Sequence, residues 1–171
     1  MRVLSVNVGH PQLNPWKTMK LTGIDKRPVD GPVMVTRPRA KGMGTVGPDR
    51  AVYAYAREDL DFWAAQLGRT LPNGVFGENL TTEDADANGA LIGERWRIGP
   101  DLILEASAPR IPCGTFQGWL AQAGWIKRFT LAAMPGAYFR VVEPAKSRPA
   151  TRSRSCTGPI TTSASRCRSA R

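Results

Sequence analysis

Alternation of apolar and polar side chains predicts several short strands. Residues 2–8 (RVLSVNV) alternate as a strand does, and residues 32–36 (PVMVT) form a second such stretch after an Asp-Gly turn. Residues 96–98 and 102–106 are two further predicted strands, with a Gly-Pro pair between them. We expect the first two strands to lie in one barrel sheet.

Two segments have apolar residues at helical spacing. In residues 57–67 acids occupy the first turn, Gly68 follows as a stop, and the apolar positions recur every three to four residues: Leu60, Trp63, Ala64 and Leu67. A second helix is predicted over residues 116–129, where the apolar face is less regular and is broken at Gly124. Short strands separated by Gly and Pro, with few helices, favour a mainly β fold.

Composition and charge divide the chain into a body and a tail. With 171 residues and an apolar fraction of 42%, one globular domain is expected, over residues 1–144. The net charge is +10, but residues 145–171 contain seven Lys or Arg and no acid, which leaves +3 for the body. This Ser/Arg/Pro-rich tail has too few apolar residues to bury, so we expect it to be disordered. Nucleic-acid binding by the body is therefore not expected.

The chain contains no signal for a membrane or for secretion. No apolar run approaches the roughly 20 residues of a membrane-spanning helix, and the first residues lack a secretory signal. We expect a cytoplasmic protein without a membrane partner.

Cys113 is the main candidate for chemistry. It follows Pro112, which fixes φ, and precedes a glycine, so its thiol is expected on a rigid turn with Arg110 nearby. A single cysteine of this kind is more often a small buried apolar residue, and Arg110 could be a solvated charge at the end of a strand. Cys156 and Cys167 in the tail do not have the spacing of a zinc site.

A glycine-containing loop at residues 74–79 is the second candidate. Its backbone amides, with Gly77, Glu78 and Asn79, could approach an anionic ligand closely. The alternative is a tight turn in which Asn79 bonds to its own backbone.

Several residues outside that loop are candidate phosphate contacts. Thr81 and Thr82 could donate hydroxyl groups to a phosphate, or could simply begin a strand. Lys26, Arg27 and Arg50 could bind the same group, or could be exposed charges.

The order of these motifs resembles that of the MOSC domain, which is named after the C-terminal part of molybdenum cofactor sulfurases and also occurs in stand-alone bacterial proteins. The resemblance rests on six motifs: LSVNVG at 4–9, GIDKRP at 23–28, GPDRAVYAY at 47–55, GENLTT at 77–82, IGERW at 92–96 and RIPC at 110–113. It extends to about residue 140.

The resemblance implies a β-barrel of the pyruvate kinase type with a few helices. It also implies that Cys113 carries sulfur or ligates molybdenum in the molybdenum cofactor (molybdopterin), and that residues 74–79 lie near the pterin or its phosphate. Pyridoxal phosphate binding is implied only for the wider family.

Two segments depart from the family pattern. Residues 37–47 (RPRAKGMGTVG) lack the aspartate and the His-Gly-Gly motif that usually precede the Pro-Asp-Arg-Ala stretch, which predicts weak cofactor binding or none. The composition of residues 145–171 is typical of a GC-rich gene translated out of frame, so the tail is interpreted as a frameshift product; the nucleotide sequence tests this hypothesis.

The resulting prediction is a protein that binds molybdenum cofactor. As an enzyme it would reduce N-hydroxylated compounds, which is what its resemblance to molybdenum-dependent relatives implies. Electrons would come from an external partner, because the chain contains neither a Gly-x-Gly-x-x-Gly motif nor a cysteine set for an iron–sulfur cluster. Three alternatives stay open: a non-catalytic sulfur or cofactor carrier served by a sulfur donor protein, a basic nucleic-acid-binding protein, and a truncated nonfunctional product.

Overall fold

The structure is a computed structural model that describes residues 1–16, 21–36, 47–147, 149 and the backbone of 151–156. The strands are β1 (Arg2–Gly9), β2 (Gln12–Leu13), β3 (Leu21–Thr22), β4 (Lys26–Pro28), β5 (Val33–Val35), β6 (Val52–Ala56), β7 (Leu80–Glu83), β8 (Arg95–Ile98), β9 (Leu102–Pro109), β10 (Ala137–Glu143), β11 (Ala145–Ser147) and β12 (Thr151–Cys156). The helices are α1 (Arg57–Leu67), α2 (Gly114–Leu120) and α3 (Trp125–Ala132).

Eight strands form one sheet in the order β12-β8-β9-β10-β6-β7-β1-β4. The sheet curves so far that β12 also pairs with β1, through Arg2 with Arg152 and Val3 with Thr151. β6 and β7 are parallel, and α1 makes the crossover between them. The predicted class, mainly β with a few helices, is confirmed.

The structure corrects two expectations about the sheet and the tail. β5 lies outside the main sheet and pairs with β11 in a separate two-stranded sheet. The tail, predicted to be disordered from residue 145, forms β11 and β12, because strand ladders use backbone N–H and C=O groups and need few apolar side chains at an existing edge. Residues 157–171 and the atypical residues 37–46 lie outside the described residues.

The first predicted helix is confirmed, and the second is divided in two. α1 ends at Leu67 and is capped by Gly68, which has a φ of 62°. The Gly68 N–H donates to the carbonyl oxygens of Ala64 and Ala65. The predicted helix over residues 116–129 is interrupted between α2 and α3, where Ala121 and Gly124 both take positive φ values. No helix in the described ranges is long and apolar enough to cross a membrane.

Two groups of buried side chains form the interior. The sheet core joins residues of the main strands, including Val3, Leu104 and Phe139. The helix-side core is largely aromatic and packs the three helices against β6; its large members are Tyr53, Tyr55, Trp63, Phe76, Phe116, Trp125 and Phe129. The turns that carry the candidate residues are anchored on this second core.

Candidate functional site

Cys113 lies on the turn between β9 and α2. Its backbone is extended (φ −138°, ψ 169°), and its carbonyl oxygen accepts a hydrogen bond from the Gln117 N–H at 3.0 Å, so it is the residue from which α2 begins. The side chain is a free thiol that is partly exposed and packs against the edge of the helix-side core. The residue is therefore positioned by the start of α2 and is only partly buried.

Arg110 is almost fully buried behind that turn. Its guanidinium carbon lies 4.0 Å from the centre of the Phe116 ring and 4.8 Å from that of the Tyr53 ring. One terminal nitrogen donates to the carbonyl oxygen of Phe76, in the 74–79 loop. Arg110 thus ties the turn of Cys113 to that loop, and it is not the solvated charge of the alternative interpretation.

The pKa of Arg110 is set by its burial and by the polar groups around it. Burial lowers the pKa of Arg110, and Tyr53 is the largest of the groups that oppose this effect. Tyr138 and Cys113 act in the same direction, so the pKa of Arg110 ends above its ordinary value. The thiol of Cys113 therefore lies within the electrostatic reach of a buried cation.

Glu78 holds the 74–79 loop from inside. Its carboxylate is fully buried and accepts hydrogen bonds from the backbone N–H groups of Gly74 and Phe76 and from the Thr81 hydroxyl. Burial raises the pKa of the Glu78 carboxyl, although these donors and the charge of Lys26 oppose the shift. Glu78 therefore shapes the loop, because both of its carboxylate oxygens accept hydrogen bonds from within it.

Asn7 completes this buried network from β1. Its side-chain amide donates to the Glu78 carbonyl oxygen at 3.1 Å and to the Thr81 hydroxyl at 3.0 Å, and its oxygen accepts from the Ser5 hydroxyl at 2.9 Å. Asn7 is not among the site residues predicted from the sequence. The available signal was two polar residues, at positions 5 and 7, on one face of an otherwise apolar strand.

Lys26 and Asn79 meet at the mouth of the loop. Lys26 as a residue is partly buried, and its ammonium group donates to the Asn79 side-chain oxygen at 2.6 Å. The same oxygen accepts from the Tyr53 N–H at 3.1 Å. Burial, followed by the charge of Arg110, lowers the pKa of Lys26 to about 7, while Glu78 opposes the shift. Lys26 can therefore gain or lose a proton near neutral pH.

The other predicted site residues are distributed unevenly. Gly77 lies in the loop, where an added side chain would contact Ile24 and Arg110. Thr81 and Thr82 are buried in β7 with their hydroxyls bonded to Glu78 and Tyr55, which favours the strand interpretation over phosphate binding.

Arg27 and Arg50 are exposed. The Arg27 side chain is 73% exposed and forms an ion pair with Asp25 at 2.8 Å. Arg50 lies 5.8 Å from the centre of the Tyr138 ring. The structure thus joins Lys26 to Asn79, and it places Arg110 within the electrostatic reach of both Lys26 and Cys113. It leaves Arg27 and Arg50 on the surface.

A pocket of about 260 Å³ adjoins the turn of Cys113. Residues 110–112 form one side, and residues of the last turn of α3 and beyond form the other: Phe129, Thr130, Ala133 and Pro135. Its walls are mainly apolar, and Arg110 supplies a charge. The volume is slightly below the roughly 300–1,000 Å³ of ordinary ligand pockets, so it can hold a small molecule or one part of a larger one.

The shifted pKa of Lys26 predicts a stability that depends on pH. The pKa is 10.5 in the unfolded chain and about 7 in the folded protein, so between these values the unfolded state binds the proton and the folded state does not. The free energy of unfolding should therefore rise from pH 7 to pH 10, by on the order of 2 kcal/mol after allowance for partial exposure.

Denaturant titrations of the wild type, Lys26→Met and Lys127→Met measure this effect. Lys127 is exposed on α3, so its variant should retain the rise, whereas Lys26→Met should lose it. Parallel curves for all three proteins would contradict the shift.

Known proteins share both the sequence pattern and the fold. A sequence model of the MOSC domain matches residues 42–149. The protein YflK of Bacillus subtilis is 34% identical over 154 residues, which are 86% of this chain and 69% of YflK. A protein of Gibberella moniliformis named a reductase is 29% identical over 131 residues, which are 71% of this chain and 23% of that protein.

A solved structure agrees with these relatives. The crystal structure of YiiM from Geobacillus stearothermophilus superposes with a TM-score of 0.76 at 30% identity, over 91% of this chain and 74% of that one. The chain spans about half, 52%, of the YiiM protein of Escherichia coli. Because the matched residues 42–149 are more than half of the chain, and because the fold agrees, the protein belongs to the MOSC domain family.

Proposed function

We propose that the protein binds molybdenum cofactor and that the thiolate of Cys113 is a metal ligand or a sulfur carrier. The observation that carries this proposal is a partly buried cysteine with a free thiol at the start of α2, within the electrostatic reach of the buried Arg110. A thiolate is a soft ligand suited to such a metal and is also the nucleophilic form of cysteine. The known association of the MOSC family with this cofactor supports the assignment.

The donor set around the turn fits an anionic cofactor. Arg110 and the protonated form of Lys26 bring two positive charges, whereas Glu78 brings one buried carboxylate whose oxygens are bonded inside the loop. Among the described residues no carboxylate forms an ion pair with Arg110. A phosphate-bearing group would balance this excess of positive charge.

Each group has a role that follows from its position. Cys113 would hold the metal, Lys26 would bind an anionic part of the cofactor, and Arg110 would keep the turn and the loop together. When bound, the cofactor supplies two-electron chemistry at its metal. Lys26 Nζ, with a pKa of about 7, can hold or release a proton beside the Asn79 side chain.

Reduction of an N-hydroxylated compound is the reaction we favour. It consumes two electrons and two protons, breaks the N–O bond and yields an amine-type nitrogen and water. The electrons would come from an external donor protein. The name of the fungal relative, a reductase of which this chain matches 23%, supports reduction as the type of reaction.

Turnover with a chemical reductant separates an enzyme from a carrier. Cofactor-loaded protein is incubated with a hydroxylamine compound and reductant, and the amine product is measured for the wild type and Cys113→Ser. The enzyme proposal predicts amine from the wild type and a background rate from Cys113→Ser. Metal-containing wild type without turnover would favour the non-catalytic sulfur or cofactor carrier, and equal rates in both proteins would refute a role for Cys113.

A further inference from the structure

Residues 14–16 lie along the outer side of α2. The Asn14 side chain, which is buried, donates to the Thr115 hydroxyl at 3.1 Å, and its oxygen accepts from the Trp16 N–H at 3.1 Å. The Trp16 ring meets the Trp119 ring edge to face, with centroids 6.3 Å apart and planes at 76°. These contacts attach a segment near the start of the chain to the helix that begins at Cys113.

Gly118 packs directly against the Trp16 indole. A methyl group built on Gly118 would lie 2.3 Å from two atoms of the Trp16 indole, well inside van der Waals contact. Glycine within a helix is less favourable than alanine by about 1 kcal/mol. The glycine in the middle of α2 thus makes room for the indole at a cost in helix propensity.

α2 is too short to be stable without its neighbours. It has seven residues, and isolated helices of this length do not persist in water. Phe116 and Leu120 bury one side of it in the helix-side core, and Trp16 covers another. Trp119 also donates to the Val75 carbonyl oxygen at 2.7 Å, which links α2 to the 74–79 loop.

We propose that Trp16, packed against Gly118 and Trp119, is a positioning residue that holds α2 in place and thereby limits the reactivity of the Cys113 thiol. Asn14 supports it through Thr115. The inference rests on the proposed role of Cys113, because it concerns how this thiol is presented to a ligand. A displaced Trp16 loosens α2 and makes the thiol more accessible.

The rate of thiol alkylation tests this proposal in the cofactor-free full-length chain. Cys156 and Cys167 are replaced by serine, so that iodoacetamide labels Cys113 alone. Trp16→Ala should raise the second-order rate by about five-fold through local opening of α2. Leu13→Ala is the matched control, since Leu13 is 78% exposed on β2, and it should leave the rate unchanged.

Gly118→Ala is a second test, because its effect on helix propensity and its effect on Trp16 should change the alkylation rate in opposite directions. Alanine improves the helix propensity of α2, yet it removes the seat of Trp16, so the alkylation rate should rise as in Trp16→Ala. In the double variant the two effects should not add, because they remove the same contact. If Gly118 affected only the helix propensity of α2, the thiol in Gly118→Ala would be alkylated more slowly than in the wild type. That result would overturn the proposal.

Two further measurements distinguish local opening of α2 from global unfolding and from failure of the proposed function. Denaturant titration of each variant gives the population of globally unfolded chains, and a rate increase that this population fully explains would overturn the proposal. If Trp16→Ala does not fold, Trp16→Leu takes its place with the same expected direction. Failure of the cofactor proposal would appear as absent molybdenum in the wild type, a result independent of the alkylation rates.

Discussion

Replacing Glu78 with alanine should lower the free energy of unfolding by about 3–5 kcal/mol. The substitution leaves the backbone N–H groups of Gly74 and Phe76 and the Thr81 hydroxyl without their buried acceptor. It also removes the carboxylate that favours the charged form of Lys26. Buried donors that lose their partner retain the full cost of their desolvation.

Denaturant unfolding measures this loss, and Glu83→Ala is its control. Glu83 forms an ion pair with Arg2 in which both side chains are substantially exposed, so its removal should cost less than about 1 kcal/mol. Similar losses for the two variants would show that Glu78 is not the internal anchor of the 74–79 loop.

Gly74→Ala should be the second strongly destabilising change, by about 3–4 kcal/mol. Gly74 has a φ of 89°, and a methyl group there would lie 2.2 Å from the Lys26 carbonyl oxygen. Because this neighbour is backbone, β4 would have to move away from the loop. The contact between Lys26 and Asn79 would move with it.

Gly93→Ala measures the backbone-strain part of this effect, so that the difference between the two variants gives the steric part. Gly93 has a nearly identical φ of 87°, but nothing lies within 4 Å of the added methyl group. It should cost only the backbone strain, about 1–2 kcal/mol. Thermal or denaturant unfolding gives both values, and equal losses would contradict the close packing of β4 on the loop.

The elements that could be predicted from the sequence are those with a clear period. β1, β8 and β9 alternate, and α1 has both an apolar face and a terminal glycine. β6 could not be found in this way, since all five of its residues are buried and no alternation remains. The break between α2 and α3 combines the positive φ of Gly124, which the glycine indicates, with the left-handed conformation of Ala121, which no residue preference indicates.

The candidate site was predicted in part. Cys113 and Arg110 belong to one short motif, so their proximity follows from the sequence. The bond from Arg110 to Phe76 spans 34 positions and that from Asn7 to Thr81 spans 74, and such long-range partners are set by the pairing of strands. For the same reason the sequence could not show that the Tyr53 N–H bonds to the Asn79 side chain, 26 positions away.

The molybdenum content of Cys113→Ser tests the central claim most directly. Wild type, Cys113→Ser and Cys156→Ser are produced in a host that makes molybdenum cofactor, and bound metal per chain is measured. A serine hydroxyl is a hard and un-ionised ligand, so the account predicts at least about a ten-fold loss in Cys113→Ser, with Cys156→Ser equal to the wild type. Equal molybdenum in Cys113→Ser and the wild type would contradict the role of Cys113 as metal ligand.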